Sequence, residues 1–555
     1  GSNNSSSNNV PVTGTAGTLG NAAAVVNGGL SFTRTDSWTV GNAISGTGAV
    51  NIGSEVADLA ATATQNVSFT GTNTFSGPLT VYTGTLTASA DANLGAVPGS
   101  ATAGRLVLNG GALAASAGFT ISSNRGIAVG PTSGAGAGTI DVAAGQTVAY
   151  GGILANNGGT GGLTKAGAGG LTLSGANTYT GTTTITGGRL LVNDARSLGG
   201  SSLANGGPVT LRSGTLDLGY TASTGAYGSA TLNFSIRTGN ITMGGQAGAT
   251  SSIVASSTAV AGGQPPGLGF GPGFGNTSLT YDATNNGGTA TVAAIWSAVG
   301  STGVNSTTVT VGDSSATDVE LDFTARISAT TQSDGFGTTL VKAGLGTMRI
   351  SAANNLPGLT VSAGKLIANN AQALGVSRTN RAGGSVHLVT NNATIDLNGF
   401  GQTVGMLAGT TGTFRNDAAG TLSTLTIGNA DNQSGTYSGS VIDGSGTTAL
   451  TKAGTGLLTL AGSMSYSGPT TVSAGTLAYT GNNSLGSNLT GSGGVLSFGA
   501  NQMTVGVGGL NTTGQFSGRL NGTGSILLRG GSATIVNANG TSGSNTNYQT
   551  LSASG

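Results

Sequence analysis

Five residues recur almost unchanged three times along the chain, each time at the head of a segment of nearly the same length. Leu163-Thr-Lys-Ala-Gly167, Leu340-Val-Lys-Ala-Gly344 and Leu450-Thr-Lys-Ala-Gly454 each open a Thr/Gly-rich stretch that closes on Gly-x-Leu. The lysine stands 25 residues before Leu190, 24 before Leu366 and 25 before Leu477. A unit this short cannot bury an apolar face of its own. Repetition at fixed spacing therefore predicts units stacked on one another, a solenoid.

A fourth, degenerate copy aligns with these. Val67-Ser-Phe-Thr-Gly-Thr-Asn-Thr-Phe-Ser-Gly77 lies over Leu171-Thr-Leu-Ser-Gly-Ala-Asn-Thr-Tyr-Thr-Gly181 and Leu458-Thr-Leu-Ala-Gly-Ser-Met-Ser-Tyr-Ser-Gly468. The copy from Met348 to Leu366 is one residue shorter and carries Leu356-Pro-Gly358 in place of the aromatic turn. Eight residues beyond each Gly-x-Leu comes a second leucine followed by glycine: Leu94, Leu198, Leu374 and Leu485. The copies are unevenly spaced, with Leu86 to Leu190 at 104, Leu190 to Leu366 at 176 and Leu366 to Leu477 at 111, so the middle interval holds an insertion of about 70 residues.

Within a unit, two or three apolar residues alternate with hydroxyl residues before a Gly or Asn intervenes. Period-two alternation reads as half-buried strand, and the Gly and Asn read as turns that accept positive φ. Charged residues are 6% of the chain, against roughly 25% in ordinary soluble domains, and glutamate occurs only at positions 55 and 320. Amphipathic helices, which need charged outer faces, are thereby nearly excluded. A string of β-sandwiches needs longer strands and an aromatic core, whereas aromatics here are 5%. Short strands, tight polar turns and small or branched aliphatics fit an all-β parallel β-helix better. At roughly 20 to 25 residues per coil and about 4.8 Å per coil, some 25 coils would extend on the order of 120 Å.

The best copy, Leu163 to Ile185 followed by Gly188-Arg-Leu and Leu198-Gly, closely resembles the passenger-associated transport repeat of bacterial autotransporters. The copy from Leu450 to Leu477 is nearly as good, those at Leu340 and Val67 are weaker, and the segment from Val386 to Phe400 is similar to sequence found between such repeats. The resemblance implies a secreted right-handed β-helix on a Gram-negative surface, with a repeat tied to export and folding and no catalytic side chains to carry over. Autotransporters also carry a membrane β-barrel. This chain ends at Tyr548-Gln-Thr-Leu-Ser-Ala-Ser-Gly555, so a barrel is expected elsewhere, cleaved or absent.

Composition narrows the chemistry. Net charge is +1 with no basic cluster, which leaves no electrostatic footprint for nucleic acid. No apolar run is long enough for a membrane helix, and Gly1-Ser-Asn-Asn is not a signal peptide. With no cysteine, disulfides, thiolate metal sites and thiol catalysis are excluded. The one dense acidic run, Asp318-Val-Glu-Leu-Asp322, would on a strand turn Asp318, Glu320 and Asp322 to one face about 6.5 to 7 Å apart. That spacing suits paired glycosidase carboxylates or weak calcium binding, though a solvated outer face is the simpler reading. His387 is the sole histidine and has no acidic neighbour in sequence. The repeat lysines Lys165, Lys342 and Lys452 are read as local, each ammonium solvated at a turn. Gln264 to Gly275, with Pro265, Pro266, Pro272, Phe270 and Phe274, reads as a loop standing off the stack, its phenylalanines a possible partner contact.

The expected organisation is a flexible or donor tail over 1–20, a continuous β-helix over 21–540 with an insertion around 220–335, and a polar tail over 541–555. The expected function is an extracellular, non-enzymatic scaffold, a fibre or filament subunit with a structural or adhesive role. Its partners would be copies of itself, head to tail or laterally, or surface glycans. Cofactors are not expected, calcium aside. A polysaccharide-binding or polysaccharide-degrading β-helix and a released adhesin passenger are the alternatives.

Overall fold

The computed structural model describes residues 10–12, 19, 22–33, 36–53, 66–194, 196–200, 207–219, 235–237, 240–256, 267–270, 278–285, 287–298, 306–328, 339–354, 356, 358–375, 388–428, 434–480, 483–485, 489–491, 495–499, 503–505, 515–516, 519–522, 526–528, 532–537 and 547–552. Two compact units emerge, one of residues 1–270 with 274–295 and one of 271–273 with 296–555. Among the described residues the structure is strand and turn, with one short 3-10 turn at Asp91–Leu94 and no α-helix.

In the first unit successive strands visit three sheets in rotation. Arg125–Val129, Ala135–Val142 and Thr147–Tyr150 form three sides of one coil, and Leu154–Asn156 returns to the first side. Each strand pairs in parallel with its counterpart one coil away, as Arg125–Val129 does with Leu154–Asn156. This is the parallel β-helix that the alternation predicts. Identical registers carry inward residues into columns: Val67, Leu86, Leu113, Ile140, Lys165, Ile185, Leu211, Met243 and Tyr281 follow one another across nine strands. All nine are buried. Each aliphatic member contributes about 1.5 to 3 kcal/mol by leaving water.

The second unit repeats the plan. Leu321, Met348, Leu366, Ile395, Phe414, Val441 and Met464 form one inward column. In the same unit Asn547–Ser552, expected to be a polar tail, is a strand antiparallel to Ser532–Asn537. At the other end of the sequence Val10–Val12, read as part of a donor tail, pairs in parallel with Gly29–Phe32 of its own chain.

The 220–335 stretch also departs from its reading as an insertion with a loop. Ile241–Gly244 and Leu279–Asp282 continue one ladder from Val209–Leu211, while Ser251–Val254 and Ala290–Ala293 continue another from Gly214–Leu218. The added residues of the first unit therefore build coils. Gly267–Phe270 is itself a strand, paired with Ser235–Arg237. The prolines of this segment flank the four-residue Gly-Leu-Gly-Phe run without interrupting it, which leaves its amides free to pair.

Candidate functional site

The acidic run does not form a row of carboxylates. Residues 312–320 are turn and bend, and only Leu321–Phe323 is strand, so the three side chains do not share one strand face. Asp318 is exposed, but Glu320 and Asp322 are buried at 2% and 6% exposure. The Glu320 carboxylate accepts the backbone amides of Ser314 at 3.1 Å and Thr347 at 2.6 Å. Asp322 accepts from Arg349 Nη2 at 2.6 Å and Ser351 Oγ at 3.0 Å. The expected solvated face holds for Asp318 alone, because the other two carboxylates anchor turns and neighbouring coils. Among the described residues no three acidic or histidine groups are gathered as a metal site would need. Phe270 ends the strand described above, and Phe274 and His387 lie outside the described residues.

The repeat lysines depart furthest from expectation. Lys165, Lys342 and Lys452 are exposed by 0%, 0% and 1%. Each occupies an inward position in its column, between Ile140 and Ile185, Val309 and Val361, and Ile427 and Val472. The stem lies among aliphatics and the ammonium reaches the corner of the coil. There Lys165 Nζ donates to the carbonyls of Ala166 at 2.6 Å, Gly167 at 2.9 Å and Gly187 at 3.2 Å. Lys342 Nζ donates to those of Gly344 at 2.6 Å, Gly346 at 2.5 Å and Ala363 at 2.8 Å. Lys452 Nζ donates to those of Ala453 at 2.6 Å, Gly454 at 2.7 Å and Ala474 at 3.4 Å. Two acceptors lie on the lysine's own turn and the third on the next coil. An ammonium has three protons, and here each has a carbonyl.

Burial pushes all three lysines down to about 8; Asp141 opposes this at Lys165, and Glu320 and Asp313 at Lys342. The carbonyl acceptors also favour the charged form. The glycine of Lys-Ala-Gly has φ of +72°, +77° and +68° in the three copies, a conformation that aims the turn carbonyls inward and that β-carbons disfavour.

A second recurring polar residue is the buried asparagine. Asn73 Oδ1 accepts Ile44 N at 2.8 Å while its Nδ2 donates to Asn93 O at 2.6 Å. Asn177 bridges Leu154 N at 2.9 Å and Ser197 O at 2.6 Å, and Asn354 bridges Ile327 N and Ala373 O, both at 2.8 Å. Each side-chain amide stands in the ladder where a peptide group would stand, linking the coil before to the coil after. In the fourth copy the position is Met464, and there the backbone itself, Met464–Ser465, pairs with Val441 and Ile442.

Two further couplings follow the copies. Tyr179 Oη meets Thr183 Oγ1 at 2.5 Å and Tyr466 Oη meets Thr470 Oγ1 at 2.6 Å. Where the tyrosine is replaced by a residue without a hydroxyl the partner lacks one too: Phe75 goes with Leu79, and Leu356 with Leu359. Likewise the basic residue of Gly-x-Leu pairs with an aspartate one coil on, Arg189 with Asp217 at 2.5 Å and Lys365 with Asp396 at 3.0 Å. The copies with Thr85 and Thr476 have Ala114 and Ser497 in those places. Aligning the copies side by side would reveal these pairs as correlated changes; reading each copy alone conceals them.

Four segments, 66–88, 163–192, 340–368 and 450–478, match the family described as Passenger-associated-transport-repeat, together about a fifth of the chain. They are consistent with an autotransporter passenger domain. No curated protein and no solved structure matches the chain. No helix among the described residues is long and apolar enough to cross a membrane.

Proposed function

We propose that this chain, marked as an autotransporter passenger by its four transport repeats, serves outside a Gram-negative cell as a non-enzymatic scaffold with a structural or adhesive role. A β-barrel translocator belongs to such a passenger. The observation that carries the reading is the direction in which the repeat aims its polar side chains. Lysine and asparagine point inward and bind neighbouring coils, while the buried tyrosine–threonine pair closes the turn within its own coil. They hold a stack together and leave the outer faces to threonine, serine and asparagine, groups suited to surfaces, glycans or other copies of the chain. Against the glycan-cleaving alternative, Glu320 and Asp322 already bind backbone amides and an arginine.

Display on the surface of a Gram-negative host tests this. Cells carrying the passenger should settle together, or attach to a polysaccharide-coated support, faster than cells carrying a bare translocator barrel. Equal settling and equal attachment would count against the adhesive role. Release of reducing ends from a panel of acidic and neutral glycans, lost in Asp322→Asn, would replace it with the enzymatic one.

A further inference from the structure

We infer that each buried repeat lysine is a tethered cation, and that the carbonyl cage around its ammonium is a latent site for a small ammonium ion. Three copies of one geometry carry the argument. In each, three backbone oxygens from two successive coils converge on Nζ, at 2.6 to 3.2 Å around Lys165, 2.5 to 2.8 Å around Lys342 and 2.6 to 3.4 Å around Lys452. Carbonyl oxygens aimed at one point from a turn and its neighbour are what solenoids that stack on bound ions offer to a metal. Here the cation is covalently attached through a four-carbon stem, and the turn is held without a soluble ion.

The cage does not depend on one counter-ion. Asp141 acts on Lys165, Glu320 and Asp313 act on Lys342, and no carboxylate contributes at Lys452, yet each ammonium has two carbonyls of its own turn and one of the next coil. What the copies share is the carbonyl of the Lys-Ala-Gly glycine and one carbonyl of the next coil; the third comes from Ala166 and Ala453 in two copies and from Gly346 in the other. A primary alkylammonium has the same three donors as the lysine head group, so it can replace the side chain once the stem is removed. A neutral alcohol of equal size fills the same space but brings neither the charge nor three donors.

The test uses native-state hydrogen exchange on the full chain, with Lys165→Ala, Lys165→Met and n-propylammonium chloride or 1-propanol as probes. Amides of the 163–192 segment should exchange at least tenfold faster in both variants, while those of 340–368 keep their wild-type rates and serve as an internal reference. Adding n-propylammonium at ten times its dissociation constant should restore about tenfold of protection in Lys165→Ala, with no effect on Lys165→Met, whose side chain occupies the stem space. Three results overturn the inference: wild-type protection in Lys165→Met, rescue of Lys165→Ala by 1-propanol as strong as by the amine, or rescue by neither compound. If Lys165→Ala does not fold, Lys452→Ala is read in the same way over 450–478.

Discussion

Asn177 is the residue whose loss should be felt most sharply outside the lysine cages. It is 3% exposed and bridges Leu154 N and Ser197 O, groups of the coils before and after its own. Replacing it by leucine keeps the volume and removes both bonds. The Leu154 amide and the Ser197 carbonyl then remain buried without partners at about 1 to 3 kcal/mol each, offset in part by the better transfer of an apolar side chain. A net loss of about 3 kcal/mol corresponds to roughly a hundredfold faster local opening. Hydrogen exchange followed by mass spectrometry reads this directly, and the change should be confined to peptides covering 150–156, 171–181 and 193–200. Asn354→Leu should act alike on its own three coils. Met464→Leu, where the backbone supplies the ladder, should change exchange less than threefold. Unaltered exchange around Leu154 in Asn177→Leu would refute the reasoning that the side-chain amide substitutes for a peptide group.

Other consequences follow from the same contacts. Tyr179→Phe strands the Thr183 hydroxyl and should cost about 1 to 3 kcal/mol, whereas the double change Tyr179→Phe with Thr183→Val should recover part of it, giving a coupling of about 0.5 to 3 kcal/mol by denaturation; additive losses would deny the pairing. Asp322→Asn should destabilise the second unit by leaving Arg349 without its anion, and the loss should be larger than that of Asp318→Asn, whose side chain is exposed; equal effects would mean that Asp322 is as solvated as its neighbour. The lysines make a prediction about pH. Their folded value of about 8 lies below the ordinary 10.5, so between these limits the unfolded chain holds protons that the folded chain has released, and stability rises with pH. Denaturation midpoints should climb from pH 8 to about 9, below the range near 10 in which unfolded tyrosines ionise and the raised Tyr150, Tyr179, Tyr437, Tyr466 and Tyr479 turn the slope downward. The climb should be lost when all three lysines are methionine; a midpoint falling between pH 8 and about 9 would reverse the sign.

The sequence made the strands and their inward columns legible because alternation and stacking obey one rule per residue, and Leu171 and Leu190 pair in register as their shared places in the repeat require. The lysines were misplaced for a physical reason. A charged residue beside Ala-Gly reads as a solvated turn, and only the register of Lys165 with Ile140 and Ile185 turns it inward. The acidic run failed in a related way, since period-two reasoning assumes a strand, and the chain bends through Glu320 before the strand begins at Leu321. Gly267–Phe270 shows the converse error, in which proline and glycine outweighed a short alternation that does pair.

The stacking of coils is tested most directly by a pair of cysteines, because the chain has none of its own. Thr164 and Thr184 are register partners on adjacent coils, their Cα atoms about 4.8 Å apart and within reach of a disulfide. Thr164 and Thr172 are closer in sequence but lie on different sheets. Mild oxidation of the Thr164→Cys/Thr184→Cys chain should crosslink it within one molecule, with the Thr164→Cys/Thr172→Cys chain remaining reduced. The opposite pattern, a crosslink at 164 and 172 with none at 164 and 184, would mean that these segments pair as a hairpin, and the parallel β-helix would fall with it.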